Sequence, residues 1–113
     1  YRPGALARRG YDDAAIRARN PALIDVALCA YGWTGPWCDR RGFDSLVQMS
    51  CGIAETGQRV AGAARPTPLP VQALDHATGC LMAAAAVRGL WLRRERGVAV
   101  RARLSLARTA GLL

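Results

Sequence analysis

Few residues of this 113-residue chain could act as a nucleophile or a metal ligand. It contains one His and four Cys. A Ser–His–Asp triad would need His76, whose neighbour is Asp75. Adjacent residues at a helix start point about 100° apart and do not easily form the bond between base and orienting carboxylate. The spacing therefore argues against a serine hydrolase. Cys29, Cys38, Cys51 and Cys80 include no C-x-x-C pair, and zinc sites normally need a close ligand pair, so no metal is expected. Three of them sit among apolar residues, where a free Cys behaves as a small core side chain. That usage suggests a reducing, cytoplasmic setting. Asp75 stands after a Pro-rich stretch and at the head of a long helical pattern. It could cap that helix. The alternative is a carboxylate nucleophile, able to form covalent acyl intermediates when positioned and desolvated. The two roles are compatible, and residue types alone do not choose between them.

The charge pattern restricts the partners. All sixteen basic residues are Arg, against eight acids, giving a net charge of +8. Residues 57–113 hold nine Arg and two acids, so most of the excess lies there. Such a balance raises nucleic acid, anionic lipid or a phosphorylated small molecule as partners. The run from Arg88 to Arg108 contains neither Asn nor Gln for base readout. Trp33 and Trp37 are interleaved with Gly and Pro rather than displayed on strands. Nucleic acid is therefore disfavoured. The longest apolar run, Cys80 to Val87, is far below the roughly 20 residues that span a bilayer, so no membrane partner is expected. The opening YRPGALARRG lacks a signal-peptide core and reads as cut from something longer.

The elements that must position these residues alternate. Helical spacing covers residues 4–9 and 12–19, with Asp12 and Asp13 at the second start and Asn20-Pro21 as a stop. Leu23 to Ala30 reads as a buried strand. Tyr31 to Gly42 is a loop punctuated by Gly32, Gly35-Pro36 and Gly42. Phe43 to Ala54 is predicted as one helix with Phe43, Leu46, Val47, Ser50 and Cys51 on its inner face. Gly57 to Pro70 reads as a long loop, and such loops are often functional. Asp75 to Arg96 is the strongest helix, apolar all round at 80–87 and therefore expected to be buried there, with Gly97 as its stop. Val98 to Leu104 alternates as a strand, and Ser105 caps a last helix to Leu113. The pattern is α/β without repeats.

In register, Tyr1-Arg2-Pro3-Gly4, Asn20-Pro21-Ala22-Leu23-Ile24, Tyr31-Gly32-Trp33-Thr34-Gly35-Pro36 and Arg41-Gly42-Phe43-Asp44 with Gln48 resemble the family III CoA-transferases. This group includes formyl-CoA transferase, carnitine CoA-transferase and α-methylacyl-CoA racemase. Leu69 to Gly79 is similar to the segment that carries their catalytic aspartate, and the helix and strand that follow are similar as well. The resemblance implies that the chain is part of a Rossmann-like large domain, with parallel strands and flanking helices. The first strands, the small domain and the Gly-rich loop over the active site would lie outside it. It implies Asp75 as the catalytic residue and Tyr1, Arg8 and Arg41 as contacts to coenzyme A, where guanidinium groups suit phosphate oxygens. Acyl-CoA and a carboxylic acid would be the substrates, with no permanently bound cofactor and an interlocked homodimer as the full-length assembly.

Racemases of the family place a His where this chain has Phe43, beside Asp44. The resemblance therefore favours transfer over racemisation. The other readings are a non-catalytic truncated remnant, a racemase-like enzyme, and a basic nucleic-acid module.

Overall fold

The computed structural model describes residues 3–113, so the Tyr1 assignment lies outside the described residues. The chain folds as a mixed α/β unit in which two parallel strands are flanked by helices. A 3-10 turn, Ala7–Arg9, closes on Gly10, where a longer helix was expected from residue 4. Gly10 has φ +81°, a left-handed conformation that suits glycine.

Helix α1 (Asp13–Arg19) begins as predicted, with the Asp12 carboxylate accepting the Ala15 N–H at 2.8 Å. It ends at Asn20, ahead of Pro21. Arg17 then donates to the carbonyls of Leu23 at 2.7 Å and Val100 at 3.4 Å, tying together the approaches to both strands. Strand β1 (Asp25–Cys29) pairs in parallel with β2 (Arg101–Ser105), from Asp25 opposite Arg101 to Cys29 opposite Ser105. Both predicted strands exist, each shorter than its apolar pattern. Only Cys29 of β1 is fully buried, because the rest of that strand is half-covered.

Between the strands run three helices. The single helix expected over Phe43–Ala54 is two: α2 (Asp44–Ser50) and α3 (Ile53–Ala61), broken at Gly52 in the left-handed region at φ +83°. The expected inner face is also corrected. Phe43 is 70% exposed, while Asp44, Val47 and Gln48 are buried. Of the expected face only Val47 is buried; Leu46, Ser50 and Cys51 are exposed with Phe43, because the inner side carries two polar residues that are paired with each other. The long loop begins only after Ala61 and returns to α3 through a bond from Thr67 N–H to the Ala54 carbonyl at 2.8 Å. Gly57 permits this approach: a Cβ there would collide with the Thr67 carbonyl.

Helix α4 (Ala73–Arg96) is the longest element and ends at Gly97, as its sequence requires. A Cβ on Gly89 would lie 2.7 Å from Ile24 Cγ2, so the helix lies flat against the entry to β1 only with glycine there. Helix α5 (Leu106–Ala110) starts at Ser105, whose hydroxyl accepts the Arg108 N–H at 3.2 Å. The core joins Ala30, Val47, Leu74 and Leu106. The expectation that residues 80–87 are buried fails within this chain, because Cys80, Leu81 and Val87 are exposed, as are Leu90 and Trp91 beyond them. No helix among the described residues is long and apolar enough to cross a membrane.

Candidate active site at the start of the long helix

Helix α4 runs against the direction of the strands. Its C-terminal half packs Gly89 on Ile24 and Val100, ahead of both strands. Its N-terminal half reaches α5, beyond the end of β2, where Thr78 and Thr109 share a buried hydroxyl–hydroxyl bond of 2.8 Å. The start of α4 therefore lies at the carboxyl end of the sheet, the edge at which open parallel sheets bind ligands.

Asp75 is the third residue of α4, and its side chain is exposed. The cap position belongs to Gln72, which makes no side-chain capping bond, so Asp75 does not cap the helix with its own carboxylate. The capping comes from elsewhere in the chain. Asp44, at the start of α2 and 0% exposed, accepts the Asp75 backbone N–H through Oδ2 at 2.8 Å. A carboxylate on a first-turn N–H satisfies an orphan donor and suits the positive end of the helix dipole.

One turn along α2, Gln48 donates through Nε2 to Asp44 Oδ1. The same nitrogen donates to the Val71 carbonyl at 3.1 Å, and Gln48 Oε1 accepts the Leu69 N–H at 2.8 Å. Asp44 and Gln48 thus hold both the start of α4 and the segment leading into it. Beside them lies a cleft of about 280 Å³, lined by Ser45, Pro70 and Gln72 among others. Buried polar groups are costly unless they are bonded. Among the described residues no buried side-chain nitrogen or oxygen lacks a partner.

Arg41 is exposed on the loop between β1 and α2, three positions before Asp44. Next to it, Gly42 packs so closely that an added Cβ would sit 2.8 Å from that of Ala30. Arg8 is exposed on the 3-10 turn. The preceding residues Gly4 to Ala7, with Leu28 and Trp33, line a groove of about 460 Å³ along β1. Neither Arg8 nor Arg41 forms an ion pair among the described residues, and no direct contact joins either of them to Asp75.

Other arginines are committed. Arg101 and Arg103 pair with Asp13 and Asp25 at the foot of the sheet. Arg103 also lies over Trp33, and Arg88 stacks on Trp91 at 4.2 Å. Much of the basic half is therefore used within the fold. Burial pushes the Cys29 thiol up, and desolvation does the same for Cys51, so both ionise less readily than an ordinary thiol.

Asp44 and Gln48 are the functional candidates to which residue types assigned no role at the site. A signal existed in their i, i+4 spacing, which lets an acid and an amide pair on one helix face.

The candidate site is thus an exposed carboxylate at a helix start, beyond the carboxyl edge of a two-stranded parallel sheet, with its backbone held by a buried acid. The chain belongs to CoA-transferase family III, whose family model matches residues 1–113. It is 36% identical to the probable fatty acyl-CoA transferase Rv3272 of Mycobacterium tuberculosis, over 88% of this chain and 25% of that protein. It is 32% identical to the acetyl-coenzyme A transferase nodX of Hypoxylon pulicicidum, over 94% of this chain and 18% of that protein. A crystal structure of Rv3272 superposes with a TM-score of 0.89 at 34% identity, covering 99% of this chain and 31% of that one. A CAIB/BAIF family protein from Brucella suis gives 0.86 at 27% identity, covering all of this chain and 29% of that one. The chain thus spans a quarter or less of the length of these two curated relatives.

Proposed function

We propose that the protein containing this chain is an acyl-CoA:carboxylate CoA-transferase with Asp75 as its covalent nucleophile. The Asp75 carboxylate attacks the thioester carbonyl of the donor acyl-CoA, giving a mixed anhydride and CoA thiolate. The thiolate attacks the aspartyl carbonyl, forming an aspartyl-CoA thioester and releasing the donor acid. The acceptor carboxylate then attacks that thioester, regenerating a mixed anhydride and free thiolate. The thiolate finally attacks the acceptor's acyl carbonyl, so the new acyl-CoA leaves and Asp75 is restored. Covalent catalysis gains by dividing one difficult exchange into several easier ones.

The observation that carries this reading is the combination at Asp75 of an exposed carboxylate, unbonded among the described residues, and a fixed backbone. An aspartate used only as a cap would turn its carboxylate onto the helix N–H groups; here Asp44 performs that task. Arg8 and Arg41, exposed and outside any ion pair among the described residues, supply guanidinium groups for CoA phosphates, with Tyr1 as a third contact. Transfer is preferred to racemisation because Phe43, 70% exposed, offers no proton-transfer group beside Asp44.

In the same reading the two strands are part of a Rossmann-like large domain. The exposed Leu81, Val87, Leu90 and Trp91 of α4 are covered in an interlocked homodimer. The four free cysteines support a cytoplasmic enzyme. The test is turnover by the native protein with acyl-CoA and a carboxylic acid, compared with its Asp75→Ala variant. Loss of CoA exchange in the variant supports the reading, and retained exchange refutes it.

A further inference from the structure

Segment 69–75 is held at three backbone atoms by two side chains of α2. Gln48 takes the Leu69 N–H at 2.8 Å and the Val71 carbonyl at 3.1 Å, and Asp44 takes the Asp75 N–H at 2.8 Å. The two side chains are bonded to each other and are 0% and 1% exposed. Val47, between them in sequence, is anchored in the core with Leu74. The stretch from Ala63 to Gln72 has no regular structure, so the line along which it enters α4 is set by these bonds and by the Thr67–Ala54 bond. The network satisfies the backbone groups at Leu69, Val71 and Asp75, and in doing so it gives the Asp75 backbone a fixed position.

We infer that Asp44 and Gln48 are positioning residues, a clamp that holds the Asp75 carboxylate in attacking geometry. The inference rests on Asp75 being the nucleophile. Attack on a thioester carbonyl is sensitive to placement, and a shift of about 1 Å can cost on the order of a hundredfold in rate. Releasing the clamp therefore lowers kcat and leaves the substrate contacts, and so KM, largely intact. Asp44 acts here through its acceptor oxygen, not as a group that reacts with substrate.

The experiment uses the native protein containing this chain, assayed with whichever of acetyl-, succinyl- or octanoyl-CoA it turns over fastest. Asp44→Ala is expected to lower kcat about ten- to a hundredfold with KM changed less than about threefold. Asp44→Asn keeps an acceptor for the Asp75 N–H but turns its amide NH2 toward the donor Gln48 Nε2, so it is expected to recover part of that loss. Gln48→Leu lowers kcat as well, and adding it to Asp44→Ala costs less than the two separate losses combined, because the pair acts as one unit.

Amide exchange at Asp75 provides a readout that does not depend on turnover. It accelerates in Asp44→Ala and stays close to wild type in Asp44→Asn. A folded Asp44→Ala enzyme with wild-type kcat overturns the proposal. So does an Asp44→Asn enzyme that keeps wild-type amide protection at Asp75 yet is as inactive as Asp44→Ala, which would show that holding the backbone is not what the reaction needs. If Asp44→Ala does not fold, Asp44→Asn and Gln48→Leu decide the matter by the same criteria. Full turnover by Asp75→Ala, with exchange at Asp75 still controlled by Asp44, would place the failure in the nucleophile assignment instead.

Discussion

Asp44 on α2 accepts the backbone N–H of Asp75 on α4 at 2.8 Å, across 31 positions of sequence. This single bond separates two roles that an aspartate at a helix start usually combines. The acid that satisfies the helix end is buried, and the acid in the first turn keeps its carboxylate exposed and unbonded among the described residues, at the carboxyl edge of the sheet.

Because Asp75 does not cap its own helix, replacing it should scarcely affect folding. Asp75→Asn loses only a charge near the positive end of α4, worth about 0.3–1 kcal/mol. Turnover should nevertheless fall about a thousandfold or more, the scale seen when a nucleophile is removed. Denaturant midpoints and steady-state rates measured on the same preparation check both halves.

Arg8 and Arg41 should matter to binding rather than to folding. Both are exposed and outside any ion pair among the described residues. Replacing either with Ala should weaken CoA binding by about 1–3 kcal/mol, the range of a charge-assisted hydrogen bond. Calorimetric titration with CoA measures this directly, and unchanged affinity in both variants would remove them from the site.

Gly89→Ala should destabilise the fold even though Ala is the better helix former. The added Cβ would lie 2.7 Å from Ile24 Cγ2, so α4 must move off the entry to β1. Overpacking of this kind typically costs about 1–3 kcal/mol, which outweighs the gain of about 1 kcal/mol in propensity. Chemical denaturation of the variant gives the answer.

How much of this was legible in the residue pattern depended on how local the cause was. Asp12, Asn20-Pro21, Gly97 and Ser105 act within one turn of themselves, and the boundaries they imply are present. The break at Gly52 was missed because an isolated glycine in an apolar pattern does not reveal its φ. On the inner face of α2 the apolar period reaches Val47 but not Asp44 and Gln48, whose burial depends on partners at 69–75 that no local period encodes. The same holds for Asp75. Its place before an apolar helix suggested a cap, and only the fold brings Asp44 to take that role. The apolar band at 80–87 was read as buried, although the cover it needs is not supplied by the rest of this chain.

The raised thiols carry a pH dependence. Cys29 is pushed up chiefly by burial and Cys51 by desolvation, so the folded state holds their protons more tightly than the unfolded chain does. Their contribution is complete below the ordinary thiol range and is lost as pH rises through it. Stability should therefore decline at alkaline pH, and Cys29→Ala should flatten part of that decline. Denaturant midpoints from neutral to alkaline pH test the slope independently of any loss of packing.

The covalent intermediate is the most direct test of the central claim. Incubating the native protein with acyl-CoA and hydroxylamine should convert the acylated or CoA-linked aspartate to a hydroxamate, located by peptide mass spectrometry. The account predicts that label on Asp75 and its disappearance in Asp75→Asn. Label found reproducibly on Asp44, or turnover with no labelled aspartate, would contradict it.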